Sequence, residues 1–396
     1  MLHALTPQTE DEYAALGLYV HWPFCLSKCP YCDFNSHVSN GVDYGAFKES
    51  YRRELDYFAA QVKIRPLHSI FFGGGTPSLM PADLVEDIIS YAADLFGLEQ
   101  GCEITLEANP TSYETQKFQD FKTAGINRVS IGVQSLNNQD LKFLGRQHSG
   151  AEALTAIQSA QHIFDRLSFD LIYARPEQSL EQWQAELTQA LDYGTSHLSL
   201  YQLTIEQGTA FHTQYNRGDF KIPDEFLAAD LYEATQEITQ RYNLPSYETS
   251  NHAALGEESR HNLIYWRYHD YIGIGPGAHG RYKDQQGQKW ASRAHRAPEK
   301  WLERCAKSGH GMHPLERITG EMQFTEAVMM GLRLKEGIDL EKLGRRASVE
   351  WHDIINTEKL DMLAREDLLI LNGANHISAS AHGALCINAL LNILLT

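Results

Sequence analysis

The sequence predicts an α/β fold, a partial (β/α)6 TIM-like barrel followed by a winged-helix-like α+β domain. Three observations carry that expectation. Between Leu18 and about Tyr242, six short apolar runs alternate with stretches of helical periodicity, the pattern of parallel strands covered by helices. Three of the six cysteines fall within eight residues just after the first run, at a strand's C-terminal end, where such barrels keep their chemistry. From about Glu316 the chain changes character to short helices and a hairpin signal.

The expected strands are Leu18–Trp22, His68–Phe72, Glu103–Glu107, Arg128–Val133, Ser168–Ile172 and His197–Leu203. Eight such units would close a barrel, whereas six leave it splayed. Between the strands, Tyr44, Phe47, Tyr51, Leu55, Phe58 and Val62 recur every three or four residues. Leu84, Val85, Ile88, Ala92 and Leu95 do the same, as do Leu180, Trp183 and Leu187 and the run from Phe226 to Ile238. Each set marks one apolar helix face. From Pro245 to about Pro314 the pattern turns irregular, and Gly273-Ile274-Gly275-Pro276-Gly277-Ala278-His279-Gly280 reads as a loop rather than a regular helix or central strand. Helices are expected at Met322–Leu334, Asp339–Arg346 and Val349–Leu363. Leu368–Leu371 and His376–Ser378 flank Asn372-Gly373, a hairpin turn, and a last apolar helix follows at His382–Leu395. The division is therefore 1–245 for the partial barrel, 246–314 for a Gly/His/aromatic-rich connecting segment and 315–396 for the winged-helix-like domain.

At 396 residues the chain exceeds one small core. It is 43% apolar and 21% charged, as soluble globular proteins are. A net charge of −17, from 34 basic and 51 acidic residues, argues against non-specific nucleic-acid binding. The winged-helix outline, often a DNA reader, has little basic excess here and reads as an interaction or capping domain. Met1-Leu2-His3-Ala4-Leu5-Thr6 has neither a basic region nor a long apolar run, so no signal peptide is evident. No run of about 18 apolar residues would span a membrane. With few cysteines, these features point to the cytoplasm.

The chemistry starts at Tyr19-Val20-His21-Trp22-Pro23-Phe24-Cys25-Leu26-Ser27-Lys28-Cys29-Pro30-Tyr31-Cys32-Asp33-Phe34. Spaced C-x3-C-x2-C, Cys25, Cys29 and Cys32 can face one centre. A cubane [4Fe–4S] cluster usually takes four cysteines, so three leave one iron open to a small molecule. A disulfide would strand one thiol. A structural zinc site needs a fourth ligand, which His37 offers. Haem attachment through C-x-x-C needs a following His, but Asp33 follows Cys32. The second motif, Phe71-Phe72-Gly73-Gly74-Gly75-Thr76-Pro77-Ser78, ends the second strand and allows close backbone approach to a polar ligand. Glu107, Gln134 and Asp170 stand at or near later strand ends, with Arg146 between them. Such groups are costly when buried unless a ligand or each other, for example Arg146 with Asp170, satisfies them. As a ring they suit the amino acid and ribose parts of a zwitterionic cofactor.

These motifs together resemble the radical SAM superfamily. More closely, Tyr19–Cys25, Gly73–Pro77, Gly132-Val133-Gln134-Ser135 and Asp170-Leu171-Ile172-Tyr173 are similar to the oxygen-independent coproporphyrinogen III oxidase group, over nearly the whole chain. Cys29–Ser36, His261–Tyr268 and Gly273–Arg281 resemble its haem-chaperone branch. The oxidases carry a further cysteine two positions after the third ligand and an extended N-terminal segment. Here the position is Phe34, and only about 18 residues precede the first strand. Ala174-Arg175 stands where the group usually has Gly-Leu, which leaves Asp170 intact but changes the expected loop.

The resemblance implies that Cys25, Cys29 and Cys32 hold a [4Fe–4S] cluster whose fourth iron takes S-adenosylmethionine. It places Tyr19, Tyr31, Gly74, Gly75, Thr76, Glu107, Gln134, Arg146 and Asp170 around that cofactor. It implies haem as cargo, passed to acceptor haemoproteins such as membrane-associated respiratory enzymes, by a monomer or transient dimer. No catalytic residue is assigned, and oxidative decarboxylation of coproporphyrinogen III is the alternative. Among 18 histidines, His252, His261, His269 and His279 cluster beside the Gly-rich loop, and one of them is expected to ligate haem.

Overall fold

The computed structural model describes residues 15–39 and 41–395. The expectation about Met1–Thr6 lies outside them. Eleven strands form one open sheet. In chain order they are β1 (Leu16–Trp22), β2 (Leu67–Gly74), β3 (Leu98–Ala108), β4 (Arg128–Gln134), β5 (Arg166–Tyr173) and β6 (His197–Gln202), then β7 (Asn251–Ala253), β8 (Asp270–Ile274), β9 (His279–Lys283), β10 (Lys289–Arg293) and β11 (Glu316–Arg317). Their spatial order is β11-β10-β9-β8-β1-β2-β3-β4-β5-β6-β7. All six expected strands are present. Among the described residues the sheet's two edges do not pair, so the barrel is incomplete, as six units suggested.

The main helices of this part are α1 (Tyr44–Gln61), α2 (Ala82–Phe96), α3 (Gly150–Ile163), α4 (Leu180–Leu191), α5 (Glu225–Arg241), α6 (Arg260–Trp266) and α7 (Pro298–Ser308). Their starts follow local chemistry. Ser149 and Ser179 close capping boxes with Glu152 and Gln182, and Asp43 and Asp224 cap α1 and α5. The expected α1 face buries Phe47, Tyr51, Leu55 and Phe58 against outward-facing Leu16, Leu18, Val20 and Trp22 of β1 in the main core.

Two expectations about the middle segment are corrected. Residues 246–314 are not an irregular connection, since they supply β7 to β10, α6 and α7. Moreover, β8 runs parallel to β1 with Gly273 opposite Tyr19, so part of the Gly-rich run is a central strand. It looks like a loop because the strand is short and Gly273 breaks its pattern. That glycine is needed: a Cβ there would lie 2.1 Å from the His279 carbonyl oxygen of the turning chain. The turn itself passes through Gly275 and Gly277, at φ +101° and +84°.

The C-terminal segment holds α8 (Gly320–Gly331), α9 (Leu340–Ala347), α10 (Thr357–Arg365) and α11 (Ile387–Leu395). Three strands, β12 (Ile338–Asp339), β13 (Leu369–Asn372) and β14 (His376–Ala379), pair in the order β12-β14-β13. The expected hairpin is present, with Gly373 at φ +79°. The helix expected over Val349–Leu363 is instead broken: Trp351–Asp353 makes one 3-10 turn and Asn356 caps α10. The helix expected over His382–Leu395 is likewise divided, with Ala381–Leu385 preceding α11. Phe324, Val328, Leu340, Trp351 and Leu390 share a separate apolar core. Among the described residues, no helix is long and apolar enough to cross a membrane.

Candidate active site

The cysteine loop leaves β1 and is closed at its base by two-residue parallel pairing of Phe24–Cys25 with His37–Val38. The Cys32 N–H donates to the Cys29 carbonyl at 3.2 Å, and Ser36 N–H to Phe34 at 2.8 Å. Asn35 pins the loop from outside. Its amide donates to the Pro276 and Arg296 carbonyls at 2.8 and 3.0 Å, and its carbonyl meets His21 Nε2 at 2.9 Å. All three thiols are free and half-buried. Cys25 Sγ accepts from Thr76 Oγ1 at 3.4 Å, and Cys29 Sγ from an Arg146 Nη at 3.4 Å. The loop is thus tied to the end of β2 and, through Arg146 of the connection after β4, to the Gly132 carbonyl of that strand.

One cavity lies beneath it. Cys25, Cys29, Cys32 and Tyr31 form its roof, and Gly74, Gly75 and Thr76 one wall. Glu107, Gln134, Arg146 and Asp170 complete the ring. Eight of the nine residues expected around the cofactor therefore line one space, together with the three cysteines. Tyr19 is the exception. Its ring lies behind the wall against Phe71 and His261, and its hydroxyl meets His21 Nδ1 at 2.9 Å.

The glycines are required by the close approach. A Cβ on Gly74, at φ +114°, would stand 2.5 Å from the His21 ring, and one on Gly75 2.7 Å from the Phe24 carbonyl oxygen. Gln134 ends β4 at φ +71°, where the register to β5 slips. Such bulges and left-handed non-glycine residues re-aim side chains near functional sites.

The electrostatics favour a cation. The Gly74 N–H donates to Glu107 at 3.2 Å. Burial, reinforced by neighbouring Asp170, pushes the Glu107 carboxyl up to about 8. Burial also raises Asp170, to about 6, against bonds from Ser199 and Ser130 and the fields of Arg128 and Arg146. Two desolvated carboxylates facing one cavity ask for a positive ligand. Arg146 does not supply it, and the Arg146–Asp170 pair considered from sequence is not formed. Its Nη atoms bond Cys29, Asn109 and the Gly132 carbonyl, the last at 2.7 Å, and its Nε is buried without a partner.

Sequence reasoning missed Asn109, Glu114 and Ser130, which also line the cavity. Asn109 bridges Arg146 and Thr76, and Glu114 holds Asn109 through its N–H at 2.8 Å while also bonding Ser78. Asn109-Pro110 directly after the third strand was the available signal. The Ala174-Arg175 departure has its own solution. Ala174 takes φ +58°, the conformation glycine adopts readily. Buried Arg175 bonds Glu186 at 2.5 Å and Asp140 at 3.0 Å, holding the loop from below.

Among the described residues, no three His, Cys, Asp or Glu side chains converge on a point that one metal ion could fill. His37 bonds Asn35 instead, so the zinc site with His37 is not assembled. A cubane, which spreads its ligands over separate irons, fits three thiols at the mouth of a polar cavity better. The four histidines considered for haem differ sharply. His252, His261 and His269 are buried, and only His279 is exposed. His261 spends both ring nitrogens, on Ser69 Oγ at 2.7 Å and Tyr265 at 2.6 Å.

Residues 19–189 match the Radical SAM superfamily, and residues 318–385 the HemN C-terminal domain. The chain is 35% identical over 383 residues to the heme chaperone HemW of Escherichia coli, covering 96% of this chain and 98% of that one. It is 38% identical over 338 residues to the mouse mitochondrial radical S-adenosyl methionine domain-containing protein 1, covering 84% and 76%. Among solved structures, the HemN coproporphyrinogen III oxidase of E. coli superposes with a TM-score of 0.80 at 19% identity, over 97% of this chain and 90% of that one. That likeness concerns the fold. Full-length identity and the geometry at the sheet's C-terminal edge agree: the chain belongs to the radical SAM superfamily and, within it, to the family of the haem chaperone HemW.

Proposed function

We propose that this protein is a haem chaperone, binding haem and passing it to acceptor haemoproteins. One observation carries the reading: 35% identity to a HemW chaperone across 96% of the chain, against a fold-level likeness to the oxidase. Phe34, where the oxidases have a further cysteine, supports the same choice. Cys25, Cys29 and Cys32 would hold a [4Fe–4S] cluster with one iron open to S-adenosylmethionine. When bound, the cluster would supply one electron to the cofactor's sulfonium. The chain's own residues would bind and orient. Glu107 and the strand-end backbone would accept from the cofactor's ammonium, and Asp170 and Gln134 would serve its hydroxyls. Arg146 would hold Cys29, and Tyr31 would cover the adenine. Tyr19 would act from behind, by fixing His21 under Gly74. Decarboxylation of coproporphyrinogen III is the second reading, favoured by the HemN-like fold.

The deciding experiment is anaerobic reconstitution followed by parallel assays of haem uptake and coproporphyrinogen turnover. Haem uptake without turnover is the expected result. Appreciable protoporphyrinogen formation would overturn the proposal.

A further inference from the structure

Two hydrogen bonds that reach cysteine sulfurs trace back to one side chain, that of Asn109 directly after β3. Thr76 Oγ1 donates to Cys25 Sγ and Arg146 Nη1 to Cys29 Sγ, each at 3.4 Å. Asn109 stands between the two donors. Its Oδ1 accepts from Arg146 Nη2 at 2.5 Å, and its Nδ2 donates to Thr76 Oγ1 at 3.3 Å. A guanidinium only donates, so the amide oxygen must face Arg146, and the nitrogen then faces Thr76 and Glu114 Oε1, the latter also at 3.3 Å. Glu114 is fully buried and takes the Asn109 backbone N–H at 2.8 Å, so it holds the amide through both main chain and side chain.

That polarity decides what each donor does. A hydroxyl carries a single proton. Because Asn109 Nδ2 presents a hydrogen to Thr76 Oγ1, the hydroxyl proton is left for Cys25. The Thr76 backbone is held separately, its N–H on the Phe24 carbonyl at 2.8 Å. On the other side, Arg146 Nη2 divides its protons between Asn109 Oδ1 and the Gly132 carbonyl, which fixes the guanidinium plane and turns Nη1 onto Cys29. We infer that Asn109 is a positioning residue for the cluster: by setting the polarity of Thr76 and the plane of Arg146, it aims a donor at each of two ligand sulfurs and raises the cluster's reduction potential. Hydrogen bonds to ligand sulfurs stabilise the reduced, more negative cluster over the oxidised one. The inference rests on the three-thiol cluster reading and adds the residue that sets how readily the cluster accepts an electron.

The test is an anaerobic redox titration of the full reconstituted chain without S-adenosylmethionine, read by electron paramagnetic resonance of the reduced cluster. Thr76→Val, which keeps the side chain's shape and removes its proton, should shift the midpoint potential to more negative values, and Thr76→Ser should restore it. Asn109→Asp presents an oxygen to Thr76 and draws the hydroxyl proton away from Cys25 while keeping an acceptor for Arg146. In that background Thr76→Val should cause no further shift, and comparing the two backgrounds removes the effect of the added charge. Asn109→Leu, uncharged and without either polar group, should also give a more negative potential. The variants are compared at iron content and thermal unfolding matched to wild type. A Thr76→Val shift of equal size in both backgrounds, or a wild-type potential in Thr76→Val or Asn109→Leu, overturns the inference. A wild-type chain that assembles no reducible [4Fe–4S] cluster overturns the three-thiol reading instead, so the two failures are distinct.

Discussion

Replacing Glu107 by glutamine is expected to stabilise the ligand-free protein while weakening its hold on a cationic cofactor. The Glu107 carboxyl, buried beside Asp170, is raised from 4.5 to about 8. The unfolded chain ionises near the lower value and the folded one near the higher. Stability therefore falls as pH rises between them and levels off above the second. A displacement of this size corresponds to about 3 kcal/mol at pH 7 and about 5 kcal/mol at alkaline pH. Glutamine keeps an oxygen for the Gly74 N–H but carries no charge. Urea denaturation of cluster-free, reduced protein should show the variant about 2–4 kcal/mol more stable near pH 8.5 and the two proteins alike near pH 5. Calorimetry with S-adenosylmethionine on the reconstituted variant should show affinity reduced about tenfold or more. A variant less stable than wild type at alkaline pH, or an unchanged pH slope, would refute the argument that this carboxylate is kept desolvated for a cation.

Three other outcomes follow from the same structure. Cys25→Ser should leave reconstituted protein with a sharply lower iron content and without the cluster's visible absorption, while far-ultraviolet circular dichroism stays unchanged. Glu54, fully buried in α1, accepts from the Gly275 and Gly311 N–H groups and from Trp301 at 2.8–2.9 Å. Glu54→Ala strands those donors and should cost about 3–5 kcal/mol in denaturant unfolding. Relieving the left-handed backbone of Ala174 with glycine should raise stability by about 0.5–1 kcal/mol, since the αL cost slightly exceeds glycine's entropy cost; a loss beyond about 1 kcal/mol would show that the loop is not strained.

Much of this protein is legible locally. Continuous apolar runs such as Ser168–Ile172 are strands in any context that buries both faces, so β1 to β6 can be read in order. The spacing of Cys25, Cys29 and Cys32 needs only a tight loop, and Asn372-Gly373 a local turn. Depth in the fold was not legible. His252 and His261 look as available as His279 until β6 pairs over His252 and Tyr19, Phe71 and Ser69 of β1 and β2 close on His261, and Tyr19 looks like a wall residue until β8 and His261 close behind it.

The sequence by itself determined the strand–helix alternation, the three-thiol loop and most of the residue types around it, because these depend on period, spacing and composition. Tertiary structure alone decided that β8 joins β1 as a seventh parallel strand, because its end closes against β1 at Gly275, where a Cβ would run into the His21 carbonyl. It also decided that Asn109 and Glu114 brace Arg146, and that Glu107 and Asp170 face the same cavity. Hydrogen bonds and fields between residues tens of positions apart exist only once the sheet has fixed its register.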